Sequence, residues 1–337
     1  MSSDGQAAQS PAEEAAVTAA RAGDESAFAA LAERYRRELQ VHCYRMLGSF
    51  EDSEDLVQET FLRAWRKRKS FEGRSSFRAW LYGIATNACL DALERRPRRV
   101  ASTHANPAEI PWLQPYPDRL LEEIAPSEAE PEAEVVARET IELAFLVAVQ
   151  HLTPRQRAVL ILRDVLGWSA KATAAVLESS VASVNSALQR ARATLKQRLP
   201  GRRLEWARGS DPSEEERALV QRYMEATERG DGNALVDLMS EDARFSMPPE
   251  PEWYAGREAI VAFWTEGGFG SPSYGDFRCL PTRANMQPAV ANYLRRPGES
   301  EYSALALDVL RIEDGAVVEV TTFVPELFAA FGLPPTL

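Results

Sequence analysis

Cysteine and histidine are both scarce, with three of each in 337 residues. Cys43, Cys89 and Cys279 are far apart and odd in number, which excludes a disulfide framework or a CxxC metal site and fits a reducing cytoplasm. His42, His104 and His151 fall into neither HxxxH nor HExxH spacing, so neither a metal nor another cofactor is expected. No apolar run approaches the roughly 18 residues of a membrane helix, and no membrane partner is expected. The opening stretch MSSDGQAAQSPAEEAAVTAA lacks a basic start and an apolar centre, unlike a signal or transit peptide. Residues 1–20 are expected to form a disordered tail.

What is present is ordinary globular material, 45% hydrophobic and 26% charged, long enough for two or three domains. The formal net charge of -11 conceals a segregation along the chain. Arg63 to Arg99 holds 11 Lys or Arg against 3 Asp or Glu, and Leu152 to Arg203 holds 10 against 2. Ala101 to Thr140 between them holds 2 against 9, and Asp211 to Leu337 holds 10 against 22. Two basic modules of this density point to phosphate contacts, with solvated helix faces as the plain alternative. The acidic stretch that joins them, with HANPAEIPWLQPYPDRL and PSEAEPEAE, reads as a linker whose Trp112, Leu113 and Tyr116 can dock on a neighbour. A second break falls at LPGRRLEWARGSDPS.

The first module is helical by its apolar spacing, from Asp24 to about Val100. Ala27, Phe28, Leu31 and Tyr35 make one stripe, and Val57, Phe61 and Trp65 make another that should point inward. Asp55, Gln58, Glu59 and Leu62 fall on a different face of the second stripe's helix. That face is either solvated or a docking surface for a basic partner helix. Further on, Ser75 or Ser76 caps a helix whose inner stripe is Phe77, Leu81, Ile84, Ala88 and Ala92. Its other line, Trp80, Asn87, Asp91, Arg95 and Arg98, suits single-stranded DNA, where bases stack or hydrogen-bond and phosphates meet guanidinium groups. Trp80 fits a core position equally well.

The second module, beginning LTPRQRAVLILRDVLGWSAKATAAVLESS, has helix-turn-helix mechanics. Thr153 caps, Pro154 takes the first helical position, and the helix runs to about Leu166 before Gly167. A short helix from Ser169 to Leu177, a turn at Glu178 to Ser180 and a longer helix follow. Val181, Val184, Leu188, Ala191 and Leu195 form the expected inner seam of that last helix. Ala182, Asn185, Ser186, Gln189 and Arg190 are left near the groove-facing side, and Arg192, Lys196 and Arg198 are available for phosphates. Asn, Gln and Arg are the side chains that pair with purine edges in the major groove.

DLVQETFLRAW, FRAWLYGIATNACLDAL and the stretch from LTPRQRAVLILRD to SVNSALQRARATL together resemble the second and fourth conserved regions of bacterial sigma-70 family factors, in the extracytoplasmic-function group. HCYRMLGSFEDSEDLVQETFLRAWR more narrowly resembles the SigG-like members, which carry a C-terminal SnoaL-like domain. The resemblance implies two all-α sigma domains, the second a helix-turn-helix, with core RNA polymerase and promoter DNA as partners. It places region 2 over residues 21–100, the linker over 101–135, region 4 over 136–203, a second linker over 204–212 and the SnoaL-like domain over 213–337. By its motifs Asp55, Gln58, Glu59 and Leu62 match the segment that docks on the clamp helices of core polymerase. Phe71, Asn87 and Asp91 match positions that hold or read flipped bases of the −10 element. Asn185, Ser186, Gln189 and Arg190 match the recognition helix for the −35 element. Promoter sequence and any anti-sigma partner stay unassigned.

The acidic C-terminal stretch reads as helices followed by a curved antiparallel sheet, with Asp314-Gly315 as a hairpin turn. This resembles an α+β NTF2-like, SnoaL-like cone, a fold that encloses a pocket. Asp308 in ALALDVL is the one carboxylate placed to act as a base there, and strand alternation favours an outward position for it. No catalytic residue is therefore expected. A regulatory domain is the preferred reading, since an acidic domain tethered to two basic modules can compete for their DNA-facing surfaces. The alternative is a cone that binds a small-molecule ligand, or an isomerase- or cyclase-type enzyme.

Overall fold

The computed structural model describes residues 11–73, 75–95, 106–122, 141–199 and 212–337. The chain forms two compact units. The first spans residues 1–105 and 120–207; the second combines residues 106–119 with 208–337.

In the first unit, α1 (Pro11–Ala22) packs on α2 (Glu25–Leu47). The tail expected over residues 1–20 is thus helical from Pro11 onward. Val17 and Ala20 are buried, and Glu13 accepts a hydrogen bond from the Tyr35 hydroxyl of α2. An alanine-rich segment with a few buried contacts has enough propensity and packing to form a helix despite its polar composition. Asp24 caps α2 by accepting from the Ala27 amide at 3.0 Å, and Gly48, at φ 71°, ends it. Helix α3 (Phe50–Lys67) starts on Ser49, runs into a 3-10 turn at Arg68–Ser70, and is followed by α4 (Phe77–Arg95), which Ser76 caps. Leu39 to Leu47 of α2 are all buried, since helices from both halves of the unit surround them.

After a single helical turn, α5 (Arg119–Glu122), come α6 (Leu143–Gln150), α7 (Pro154–Leu160), α8 (Ala170–Val176) and α9 (Val181–Arg198). Thr153 and Gln156 form a reciprocal capping box at α7 with Pro154 in its first turn, as the sequence predicts. The helix does not continue in α form to Leu166. Residues Ile161–Val165 make a π-helical turn, and Gly167 at φ 68° then redirects the chain. Ser169 caps α8 and Ser180 caps α9.

The second unit is a six-stranded sheet in the order β2-β1-β6-β5-β4-β3. Its strands are β1 (Met239–Ser246), β2 (Trp253–Ala255), β3 (Asp276–Ala284), β4 (Gln287–Arg295), β5 (Ser303–Glu313) and β6 (Ala316–Phe323). β1 and β6 run parallel and the other neighbours antiparallel. Helices α10 (Glu214–Glu228), α11 (Gly232–Leu238) and α12 (Arg257–Glu266) supply Leu219, Tyr223, Leu235 and Ile260 to a core shared with Phe245, Val290, Leu310 and Val320 of the sheet. The β5–β6 turn is Asp314-Gly315, both at positive φ, which is the type I′ geometry the sequence predicts. The β3–β4 turn has the same form with Asn285 (φ 56°) and Met286 (φ 61°), a strained choice for two residues that carry side chains.

Residues 106–119, assigned to a linker by their composition, join this unit. Pro117 bridges to Ala284, the Asn285 amide donates to the Tyr116 carbonyl at 2.9 Å, and the Tyr116 amide donates to Asn285 Oδ1 at 2.8 Å. Asp118 accepts from the Met286 amide at 2.8 Å and pairs with Arg283 at 3.2 Å. Of the three residues expected to dock, Leu113 and Tyr116 are buried and Trp112 is half-buried.

Candidate functional site

Helix α3 presents two faces. Val57, Thr60, Phe61 and Ala64 are buried, so Asp55, Gln58 and Leu62 project outward, Leu62 at 52% exposure. Glu59 is half-buried and accepts from Arg63 at 2.8 Å. Arg63 also reaches Asp91 of α4 at 2.6 Å. One guanidinium therefore ties together two of the sequence-predicted residues, Glu59 and Asp91. Its hydrogen bonds to both carboxylates raise its own pKa. Arg63 was not singled out from sequence; the Glu59–Arg63 spacing was legible, the long-range reach to Asp91 was not. At the helix's N-terminal end, Leu47, Asp52, Asp55, Leu56, Leu93 and Arg95 line one groove.

Phe71, predicted to meet a flipped base, is 5% exposed. Its ring lies 5.6 Å from Phe77 and 5.2 Å from Trp80, which is itself half-buried. The aromatic cluster thus makes Phe71 the floor beneath Trp80. Along α4, Asn87, Asp91 and Arg95 are exposed, and the Arg95 Nε donates to the Asp91 carbonyl at 3.2 Å. Arg98 lies outside the described residues. Arg68 covers the Trp65 ring at 3.9 Å, which turns the basic end of α3 back onto its aromatic row.

Glu38 and His42 are ionisable groups in the interior beneath α4. Burial drives the Glu38 carboxyl upward in pKa, opposed by Arg78 at 2.8 Å. Burial, with Arg45 and Arg78 nearby, pushes His42 down to about 3. The Thr86 hydroxyl donates its one hydrogen to the Tyr82 carbonyl at 2.8 Å, so the 2.9 Å contact between His42 Nε2 and Thr86 requires the ring nitrogen to donate. His42 is thus an Nε2–H donor in the core, and its lowered pKa favours the neutral ring.

In α9, Val184, Leu188, Ala191 and Leu195 form the inner seam as predicted. Val181 does not join them: it stands at the first helical position and is 43% exposed, where the helix has yet to meet its partners. Asn185, Ser186, Gln189, Arg190 and Lys196 are all exposed. Arg192 is exposed but engaged, with Nε and Nη2 donating to the two oxygens of Asp164 at 2.8 and 2.7 Å. Asp164 sits in the π turn, so this ion pair ties the irregular turn to α9.

Asp308 is 7% exposed, contrary to the outward position that alternation favoured. Both faces of β5 are covered at mid-strand, so alternation there separates two interiors rather than inside from outside. Its carboxylate accepts from Tyr223 (3.1 Å), Asn292 (2.7 Å) and Thr322 (2.5 Å). Burial raises its pKa, and these three donors hold it down.

Comparison with known proteins accounts for this arrangement. Residues 31–99 match the model of sigma-70 region 2, residues 142–195 that of sigma-70 region 4, and residues 220–320 that of a SnoaL-like domain. The ECF RNA polymerase sigma factor SigG of Mycobacterium tuberculosis is 42% identical over 332 residues, covering 94% of this chain and 86% of that protein. The chain belongs to the extracytoplasmic-function sigma factors. SigW of Bacillus subtilis, in the same group, is 30% identical over 177 residues, 52% of this chain and 91% of its own. Among solved structures, the Mycobacterium tuberculosis sigma factor SigJ superposes at a TM-score of 0.57 with 22% identity, over 91% of this chain and 99% of that one, a likeness of fold. In this sigma factor, α2 to α4 are region 2, α6 to α9 are region 4, and the sheet with its helices is the SnoaL-like domain.

Proposed function

We infer that this sigma factor joins core RNA polymerase and directs it to open promoters at −35 and −10 elements. The outward line of α3, Asp55, Gln58 and Leu62 with Glu59 beside it, seats on the polymerase. Trp80, supported by Phe71, together with Asn87, Asp91 and Arg95, faces the melted −10 strand. Asn185, Ser186, Gln189 and Arg190 read the −35 element, Lys196 meets phosphate, and Arg192 pairs with Asp164 on the neighbouring π turn. The observation that carries this reading is the pair of faces on one chain: an exposed acidic and apolar line on α3, and exposed Asn, Gln and Arg on a capped recognition helix. Core polymerase supplied with the factor should initiate at discrete promoters, and Gln189→Ala with Arg190→Ala should weaken duplex binding while leaving core affinity intact. Equal promoter affinity in that double variant would contradict the assignment.

The C-terminal domain acts as a regulator in this reading. Its strained β3–β4 turn is gripped by residues 116–118 of the segment that connects regions 2 and 4, which shortens the free connection between them. Catalysis is disfavoured because the one candidate base, Asp308, already accepts three hydrogen bonds from the fold. Asp118→Ala in the full chain should change transcription output several-fold without altering any small-molecule chemistry; unchanged output would remove the support for a linker-based control.

A further inference from the structure

Helix α1 carries none of the residues assigned to polymerase or promoter, yet both of its ends are joined to the surface assigned to the −10 strand. At its start, Glu13 is 7% exposed and accepts a hydrogen bond from the Tyr35 hydroxyl of α2, while its other oxygen pairs with Arg34 at 3.3 Å. The Tyr35 ring lies 6.0 Å from Phe77, the first residue of α4. Phe77 in turn meets Phe71 edge-on at 5.6 Å and Trp80 at 5.4 Å. The floor beneath Trp80 thus continues, ring by ring, to a carboxylate on α1.

At its close, Gly23 follows α1 at φ +106°, and a Cβ there would stand 3.8 Å from Arg68 Nη2. Arg68 opens the 3-10 turn that leads to Phe71. Its guanidinium covers the Trp65 ring at 3.9 Å, and its Nη1 donates to the Trp65 carbonyl at 2.8 Å. Its Nε is buried with no hydrogen-bond partner among the described residues. Trp65 also meets Phe28, in the first turn of α2, at 5.1 Å. Arg68 is therefore held by stacking and by the space that Gly23 leaves, more than by a full set of bonds.

The turn needs such supports. Three residues of 3-10 helix make few bonds of their own, and the closing bond here, from the Phe71 amide to the Arg68 carbonyl, is long at 3.4 Å. The position of Phe71 is thus set by what holds Arg68 on one side and Phe77 on the other. A buried carboxylate contributes little net stability, because desolvation offsets its bonds, but its hydrogen bond is directional and fixes the lie of the Tyr35 ring. Groups that recognise a ligand must be held to within about 0.5 Å of their productive geometry by the packing behind them.

We propose that α1 is a positioning element for −10 recognition. Glu13, acting through Tyr35 and Phe77, and Gly23, acting through Arg68, hold the turn Arg68–Phe71 and the Trp80 face in the shape that meets the displaced strand. The proposal rests on the −10 reading given above.

Full-length variants assembled with core polymerase test it, on duplex libraries randomised separately at the −10 and −35 elements of a promoter that the wild-type holoenzyme selects. Glu13→Ala should lower the penalty for a wrong −10 base about fivefold, within the cost of one mismatched pair, and leave −35 preference and core affinity as in wild type. Glu13→Gln still offers an oxygen to Tyr35 and should restore most of that penalty. Arg68→Lys keeps the charge but loses the planar stack, so −10 discrimination should fall while the salt dependence of promoter binding stays unchanged. The fluorescence of an aminopurine base in the −10 strand, which brightens as the base leaves its stack, should fall in parallel. Unchanged −10 discrimination in either Glu13→Ala or Arg68→Lys, folded as judged by circular dichroism, overturns the proposal. An equal loss at −10 and −35 overturns it too, since that marks a general loss of stability. Should Glu13→Ala not fold, Glu13→Gln and Arg68→Lys decide by the same comparison. A wild-type holoenzyme without −10 preference would instead refute the reading on which the proposal rests.

Discussion

At the scale of single residues, buried polar groups decide what the side chains can do. His42 is held neutral at a value pushed down to about 3, below its ordinary 6.5. The contribution of that neutral ring is complete above its unfolded value and is lost as pH falls through 6.5 toward 3. Replacing His42 with Gln, which keeps a donor for Thr86 without titrating, should flatten the acid limb of stability by up to about 1.4 kcal/mol per pH unit. Denaturant unfolding across that range checks it, and an unchanged limb would contradict neutral burial. Asp308 behaves in the opposite sense: its raised pKa favours the protonated form in the fold, so its contribution falls as pH rises through the folded value. Asp308→Ala strands three donors and should cost at least about 2 kcal/mol in the SnoaL-like domain, read by its thermal transition. The cysteines follow the same logic, since burial, with Cys43 beside it, drives the Cys89 thiol upward and leaves it inert.

At the scale of elements, local signals were legible wherever a cap or a periodic stripe governs the structure. Asp24, Ser76, Thr153 with Pro154, and Asp314-Gly315 all sit where their chemistry places them. Signals failed where a long-range partner decides. Val181 falls in the apolar seam by spacing, yet at the first helical position it stays 43% exposed, while Val184 one turn on is buried. The π turn has no mark in ILRDV; its Asp164 accepts from Arg192, 28 residues later, and its Arg163 donates to the nearby Trp168 carbonyl. The Asn285-Met286 turn lacks glycine and so carries no local turn signal; Tyr116 and Asp118, more than 160 residues earlier, hold it. Asp118→Ala should therefore raise amide exchange at Asn285 and Met286 about tenfold or more, and unchanged protection would show that the turn stands without the linker. On α3, the Asp55, Gln58 and Leu62 face was readable from spacing alone, whereas the Arg63 bridge from Glu59 to Asp91 was not.

At the scale of the whole molecule, charge segregation carries the argument. A chain of formal charge -11 still sets 11 basic residues against 3 acidic ones between Arg63 and Arg99. Promoter affinity of the holoenzyme should accordingly weaken steeply with salt, and removing Lys196 should lessen that slope by close to one counterion. The motif order makes both sigma regions and the SnoaL-like domain legible in the sequence itself. The division of the connecting segment was not legible, because composition marks residues 106–119 as linker while hydrogen bonds assign them to the C-terminal unit. The most direct measurement of the central claim is assembly with core RNA polymerase: wild-type factor should form a stable complex that initiates at defined promoters. Asp55→Lys with Glu59→Lys, folded as judged by circular dichroism, should bind core at least tenfold more weakly. A charge-reversed factor that assembles and initiates like wild type would contradict the account.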